Sequence, residues 1–222
     1  LAISNLEPLV EIQKINSHIR VGVALRSKSN TESRCYIRKS VAIQIDLVQK
    51  ELEPLGLGLK IMDAYRPLSE QKKLWEKDPD NRYVANPKYG SRHNRGAAVD
   101  LCLVHLHNGK KLTMPTTSHS FACHRNYESM QSDEIKKNCK LLELIMEKHG
   151  FIPLPTEWWH FDYKNWADYN ILDIAISDLA ECNLIEPSIT QTPITTTKHV
   201  TKKKNLLKNK RHLKKQLTIT PA

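Results

Sequence analysis

The segment AAVDLCLV at residues 97–104 constrains this chain more than any other. It is apolar at odd and even positions alike, so both of its faces must be buried. That is the pattern of a central strand, not of an edge strand or a surface helix. Asp100 breaks the run. A buried carboxylate without a partner costs several kcal/mol, so a cation or strong donors must meet it inside the fold. An ion pair with Arg92 or Arg95 is the plain solution. A bound metal is the other.

Around this strand, helical and extended periods mix without regular alternation. Ser40–Leu55 repeats Val41, Ile45, Val48 and Leu52 at three- and four-residue steps, which predicts a helix capped by Ser40 and stopped by Pro54 and Gly56. Leu57–Met62 reads as a short buried strand ending at Asp63, Leu68–Lys77 as a short helix, and 78–95 as a long loop. Ser132–His149 is the clearest helix: Ser132 caps it, Asp133 and Glu134 suit its positive end, Ile135, Leu142, Ile145 and Met146 form a core face, and Gly150 ends it. Trp158–Tyr163 and Ile171–Ile176 read as strands, whereas residues 1–39 carry few periodic signals. The expected class is α+β, with helices packed around a central, mostly antiparallel sheet.

The 222 residues suit one domain with an extension. No apolar run approaches the ~18–20 residues of a membrane helix, so no span is expected. No repeat of 20–50 residues points to a solenoid or propeller. The net charge of +10 suggests a nucleic-acid binder until it is located. Nine of the basic residues fall between Pro187 and Ala222, a stretch without Asp or Glu; the rest of the chain has 25 basic against 24 acidic residues. The expected division is therefore a catalytic domain at 1–186 and a basic, Thr- and Lys-rich disordered tail at 187–222. A solvated tail is the plainer reading. Leu206, Leu207 and Leu213 among the lysines also suit a short amphipathic helix on an anionic lipid, wall polymer or nucleic acid.

Five cysteines without a CxxC pair read as buried free thiols rather than a disulfide scaffold or Cys-rich zinc site. The chain opens at Leu1 and shows no charged-then-apolar signal segment. The compartment stays open, with periplasmic or secreted ahead of cytoplasmic.

The chemistry gathers around Asp100. His93 stands seven residues upstream in the loop SRHNRG, with Gly96, Ala97 and Ala98 between, so loop and strand can converge on one point. Glu157-Trp158-Trp159-His160 adds a carboxylate three residues before a second His. One reading makes the two Trp core, with Glu157 and His160 their polar edges. The other completes a two-His, one-Asp metal shell with His160, leaves a position open as in catalytic zinc sites, and gives Glu157 the role of base. No HExxH is present, which excludes the zinc-protease helix motif. His105 and His107 are a rival ligand pair without a nearby carboxylate.

SRHNRGAAVD followed by EWWH resembles the SxHxxGxAxD…ExxH pattern of the D-alanyl-D-alanine dipeptidases, zinc peptidases related to the vancomycin-resistance dipeptidase. LGLKIMDAYRP at 57–67 and the helix from Ser132 to Phe151 extend the likeness over roughly residues 35–180. The resemblance implies one zinc ion on His93, Asp100 and His160 in a central cleft, Glu157 as catalytic base, Arg66 as transition-state arginine and Ser91 as a substrate contact. It implies hydrolysis of D-alanyl-D-alanine in peptidoglycan turnover. The rivals are a zinc D,D-carboxypeptidase acting on longer stem peptides, and a zinc-stabilised wall- or nucleic-acid-binding protein. Two positions depart. Val21–Arg26 replaces the family's DLRYAT-like segment, and His119 stands where an Asp after a MGTPFD-like turn holds the substrate's ammonium. A His there supplies less negative charge, which implies weaker dipeptide binding.

Overall fold

The strand carrying Asp100 lies at the centre of a five-stranded sheet. The computed structural model describes residues 7–22, 34–116, 124–125 and 132–182, all within one unit spanning Leu1–Ile185. The 187–222 tail, its leucines and His119 lie outside the described residues. In chain order the elements are β1 (Leu9–Glu11), α1 (Ile12–Ile15), β2 (Arg20–Val21), β3 (Tyr36–Arg38), α2 (Lys39–Leu52), β4 (Leu57–Asp63), α3 (Leu68–Lys77), β5 (Ala98–His105), α4 (Asp133–Lys148), β6 (Phe151–Pro153), β7 (His160–Tyr163) and α5 (Ile176–Cys182).

The sheet order is β2-β4-β5-β7-β6. Only β2 pairs in parallel, with β4; the other three pairings are antiparallel. The α+β expectation therefore holds. Val41, Ala42, Ile45, Val48 and Leu52 of α2 and Leu142, Ile145 and Met146 of α4 join Leu59, Ile61, Leu101, Leu103 and Phe161 in one core. Ser132 caps α4 as expected, its hydroxyl accepting from the Ile135 amide at 3.3 Å.

One irregularity matters for the site. Between β4 and β5, Ile61 faces Leu101 but Asp63 faces Asp100, so Met62 is an extra residue. Without this bulge Asp63 would share the face of Ile61; with it, Asp63 joins the face of Asp100. On the other side of β5, Asp100 pairs directly with His160. Asp63, Asp100 and His160 thus form one row across three adjacent strands.

Three expectations need correction. Ser40 is not the cap of α2, which begins at Lys39; the Glu7 carboxylate accepts from the Ser40 amide and, at 3.1 Å, from its hydroxyl. A side chain remote in sequence therefore does the capping. Residues 171–175 join no ladder, and Ile176 opens α5. The Ile174 amide donates to the Tyr65 hydroxyl at 2.8 Å instead of to a strand. Finally, the weakly patterned N-terminal region forms a two-stranded ladder of β1 and β3. There Leu9, Tyr36 and Tyr65 make a second small core with Leu172, Ile176 and Leu179.

Candidate active site

His93 opens a 3-10 turn, His93–Arg95, just ahead of β5. The Ser91 hydroxyl accepts from the His93 amide at 3.2 Å, and the Asn94 side chain accepts from the Ser91 amide at 2.7 Å. The turn ends at Gly96, φ 66°, where a Cβ would stand 2.6 Å from Leu9. Only glycine takes this left-handed, crowded position without strain. The turn also holds the segment after β4. The Arg66 amide donates to the His93 carbonyl at 3.1 Å, and the Asn94 amide group donates to the Arg66 carbonyl at 2.8 Å.

Three ligand atoms converge at the sheet. His93 Nε2 lies 3.2 Å from His160 Nδ1 and 3.4 Å from Asp100 Oδ1, and His160 Nδ1 lies 2.9 Å from Asp100 Oδ1. The outer nitrogens decide what these atoms are. His93 Nδ1 is 2.7 Å from the Ala64 carbonyl, and His160 Nε2 is 3.0 Å from the Asp162 carboxylate. Both partners only accept, so each outer nitrogen carries hydrogen, and in a neutral ring each inner nitrogen is a lone pair. Two imidazole lone pairs and a carboxylate then face one another with no donor between them. Such a set requires a cation. A metal ion or, failing that, a proton taken up by the rings can supply it, and the surrounding carboxylates favour either. Burial opposes a charge on His160, yet the hydrogen bonds to Asp100 and Asp162 push its pKa up to about 10. Burial would likewise raise Asp100, but the charge of His93 and the hydrogen bonds from both rings hold it far below the usual carboxylate range. The donor set, two nitrogens and one carboxylate oxygen with acceptors behind both rings, fits zinc. Among the described residues it is the only cluster of this kind.

Arg66 is pinned beside the cluster. The Asp63 carboxylate accepts from its Nε at 3.0 Å and its Nη2 at 2.5 Å, and Gln71 accepts from Nη1 at 2.6 Å. Two of the five guanidinium N–H groups are left for a ligand. Burial disfavours its charge, but Asp63, Asp100 and Glu157 outweigh that and raise its pKa further. Glu157 is buried, with Oε2 3.8 Å from His160 Nδ1 on the tight turn before β7. Arg66, Ser91, Glu157 and Trp159 line, with the three ligand residues, a cleft of about 260 Å³.

The D-Ala-D-Ala dipeptidase family model matches residues 15–178. This chain belongs to that family. The D-alanyl-D-alanine dipeptidase of Escherichia coli is 34% identical over 148 residues, covering 64% of this chain and 73% of the relative. That of Enterococcus faecalis is 28% identical over 143 residues, covering 55% and 70%. The solved LdcB LD-carboxypeptidase overlays 72% of this chain and 70% of its own length at 22% identity, with a TM-score of 0.43.

In this dipeptidase-family chain the structure brings together His93, Asp100, His160, Glu157, Arg66 and Ser91, all expected from sequence. His119 lies outside the described residues. Asp100 is not paired with Arg92 or Arg95. Arg92 Nε stands 3.6 Å from Asp162, and both guanidinium groups stack on Trp166, at 4.6 Å and 5.5 Å. His105 and His107 lie with ring centres 5.9 Å apart, His105 ending β5 and His107 in the following turn. Both tryptophans join the core, as one reading had it; Trp158 donates its indole N–H to the Thr116 carbonyl at 2.8 Å, and Trp159 also walls the cleft. Sequence reasoning missed Asp63 and Gln71, which hold Arg66, and Asp162, which holds His160. It also missed Arg125, whose guanidinium donates to the Leu154 carbonyl at 2.8 Å and the His160 carbonyl at 2.7 Å. Asp63 had a signal, an acid three residues before the arginine. Arg125 had none.

Proposed function

We propose that this chain is a zinc dipeptidase that hydrolyses D-alanyl-D-alanine to D-alanine. The observation that carries the reading is the convergence of three lone-pair donors beside a buried Glu157 and a pinned Arg66. His93, Asp100 and His160 would hold the ion. When bound, zinc supplies Lewis acidity and brings the pKa of a water to ~7.

The chain's own groups supply the rest. Glu157 takes the proton of the attacking water and delivers it to the leaving amine, a role worth about 10²–10⁴-fold. Its place on the short turn that leads into His160 fixes its reach toward the centre. Arg66 keeps its charge and turns its remaining N–H groups to the developing oxyanion. Asp63 and Gln71 fix that fork before substrate arrives, so little reorganisation is needed in the reaction. Trp159 excludes water from one side, and Ser91 offers the substrate a polar contact. The cleft of about 260 Å³ has room for a dipeptide.

His119 is assigned to the substrate's ammonium by its position in the sequence. Because a His supplies less negative charge than the family's Asp, a longer substrate without a nearby ammonium gains ground. That favours the D,D-carboxypeptidase alternative to this extent only. Hydrolysis of D-alanyl-D-alanine compared with a pentapeptide ending in D-alanyl-D-alanine tests the choice. The expected result is a higher kcat/KM for the dipeptide; the reverse order selects the carboxypeptidase. His119→Asp is expected to lower the dipeptide KM by about tenfold or more, the worth of a charge-assisted hydrogen bond.

A further inference from the structure

We propose that Asp162 is a positioning residue of the metal centre: it holds the His160 ring in the orientation and tautomer that offers Nδ1 to the ion. This rests on the zinc reading above. His160 and Asp162 are alternate residues of β7 and so share a face of the sheet. Their side chains meet at 3.0 Å between Nε2 and Oδ1, and both residues are buried, 6% exposed each. Water therefore neither screens nor replaces the contact. Without it the ring would be free to exchange which nitrogen carries hydrogen and to rotate away from Asp100.

Asp162 is in turn held from both sides. Its backbone pairs with Ala98 on β5 and Ile152 on β6, so the strand carrying it is an interior one. Its second oxygen faces Arg92 Nε at 3.6 Å, and the Arg92 guanidinium is laid on the Trp166 ring. Arg92 takes one side of the carboxylate and leaves the other oxygen to accept from His160. His93 is served differently, by the neutral carbonyl of Ala64. The two rings of the centre thus have unequal supports, and the one backed by a side-chain carboxyl group is the one borne on the sheet.

The test is zinc affinity by chelator competition in the full-length protein. Asp162→Ala is expected to weaken zinc binding about 100-fold, and Asp162→Asn, which keeps an acceptor oxygen but no charge, about tenfold. Wild type and His93→Ala are measured alongside. If wild type binds zinc and His93→Ala does not, but Asp162→Ala stays within twofold of wild type, the positioning role is overturned and the zinc reading stands. A purely structural role would lower the melting temperature of the metal-free variant with the affinity unchanged, and that result also overturns the proposal. If Asp162→Ala does not fold, Asp162→Asn within twofold of wild type overturns it. If wild type itself takes up no zinc, both readings fall together.

Discussion

The site is assembled from two kinds of support. Asp63, Asp100 and His160 stand in one row on β4, β5 and β7, located by strand register and one bulge. His93 and Glu157 stand on short turns, located by individual hydrogen bonds such as those of Ser91, Asn94 and Arg125. The row concentrates charge in fixed places because neighbouring ladders cannot shift singly. The turns place groups that must reach out from the sheet, and each depends on a few side chains for its shape. The sheet decides where charge sits; the turns decide what can touch it.

The largest effects should be equal on both sides of this division. His160→Ala removes a strand-borne ligand and His93→Ala a turn-borne one. Both variants are expected to lose zinc and all measurable hydrolysis, read by metal analysis and dipeptide turnover; a zinc-replete, active variant of either would remove that residue from the centre. Glu157→Ala should separate the two supports. It is expected to keep one zinc per chain and the wild-type fold while kcat falls about 10²–10⁴-fold; a loss under tenfold would show that Glu157 is not the base. Arg66→Lys keeps the charge but not the planar fork that Asp63 and Gln71 hold. A fall in kcat of about 10²–10³-fold is expected, with zinc content unchanged.

Smaller effects should sharpen the contrast. Asn94→Ala strips the turn of two bonds, to the Ser91 amide and the Arg66 carbonyl, and takes a partner from each group. A stability loss of about 1–3 kcal/mol is expected by denaturant unfolding, together with reduced kcat, because both Arg66 and His93 depend on that turn. Glu7→Ala removes the carboxylate at the start of α2, remote from the cleft. It should cost about 0.5–2 kcal/mol and leave kcat unchanged; a changed kcat would mean that the cap and the site are coupled.

The difference between the supports also explains what could be read from the sequence. Asp100 was visible because a carboxylate inside an apolar run is costly, and that cost points to its partners. His93, His160 and Glu157 lie in short motifs whose residue types match one chemistry. Asp162 falls just beyond the second motif and looks like an ordinary alternating strand residue. The Met62 bulge is invisible because nothing in LGLKIMD marks an extra residue. The N-terminal strands are two or three residues long, too short for a period to show. Residues 171–176 alternate like a strand because Leu172 and Ile176 do face a core, but a tyrosine hydroxyl stands in for the neighbouring strand. Apolar alternation reports burial, and burial does not require a ladder.

The separation of the ligands along the chain has a consequence for how the protein acquires its centre. His93 and His160 are 67 residues apart, and Asp100 and His160 are 60 apart. No local folding event can bring them together; both long loops must close and β4, β5 and β7 must align first. The three-ligand centre is therefore complete only when these long-range contacts are in place. Retained zinc would be a certificate of global folding. By mass action, zinc at a hundred times its dissociation constant would add about 2.7 kcal/mol to the stability of the cooperative unit, including parts far from the cleft.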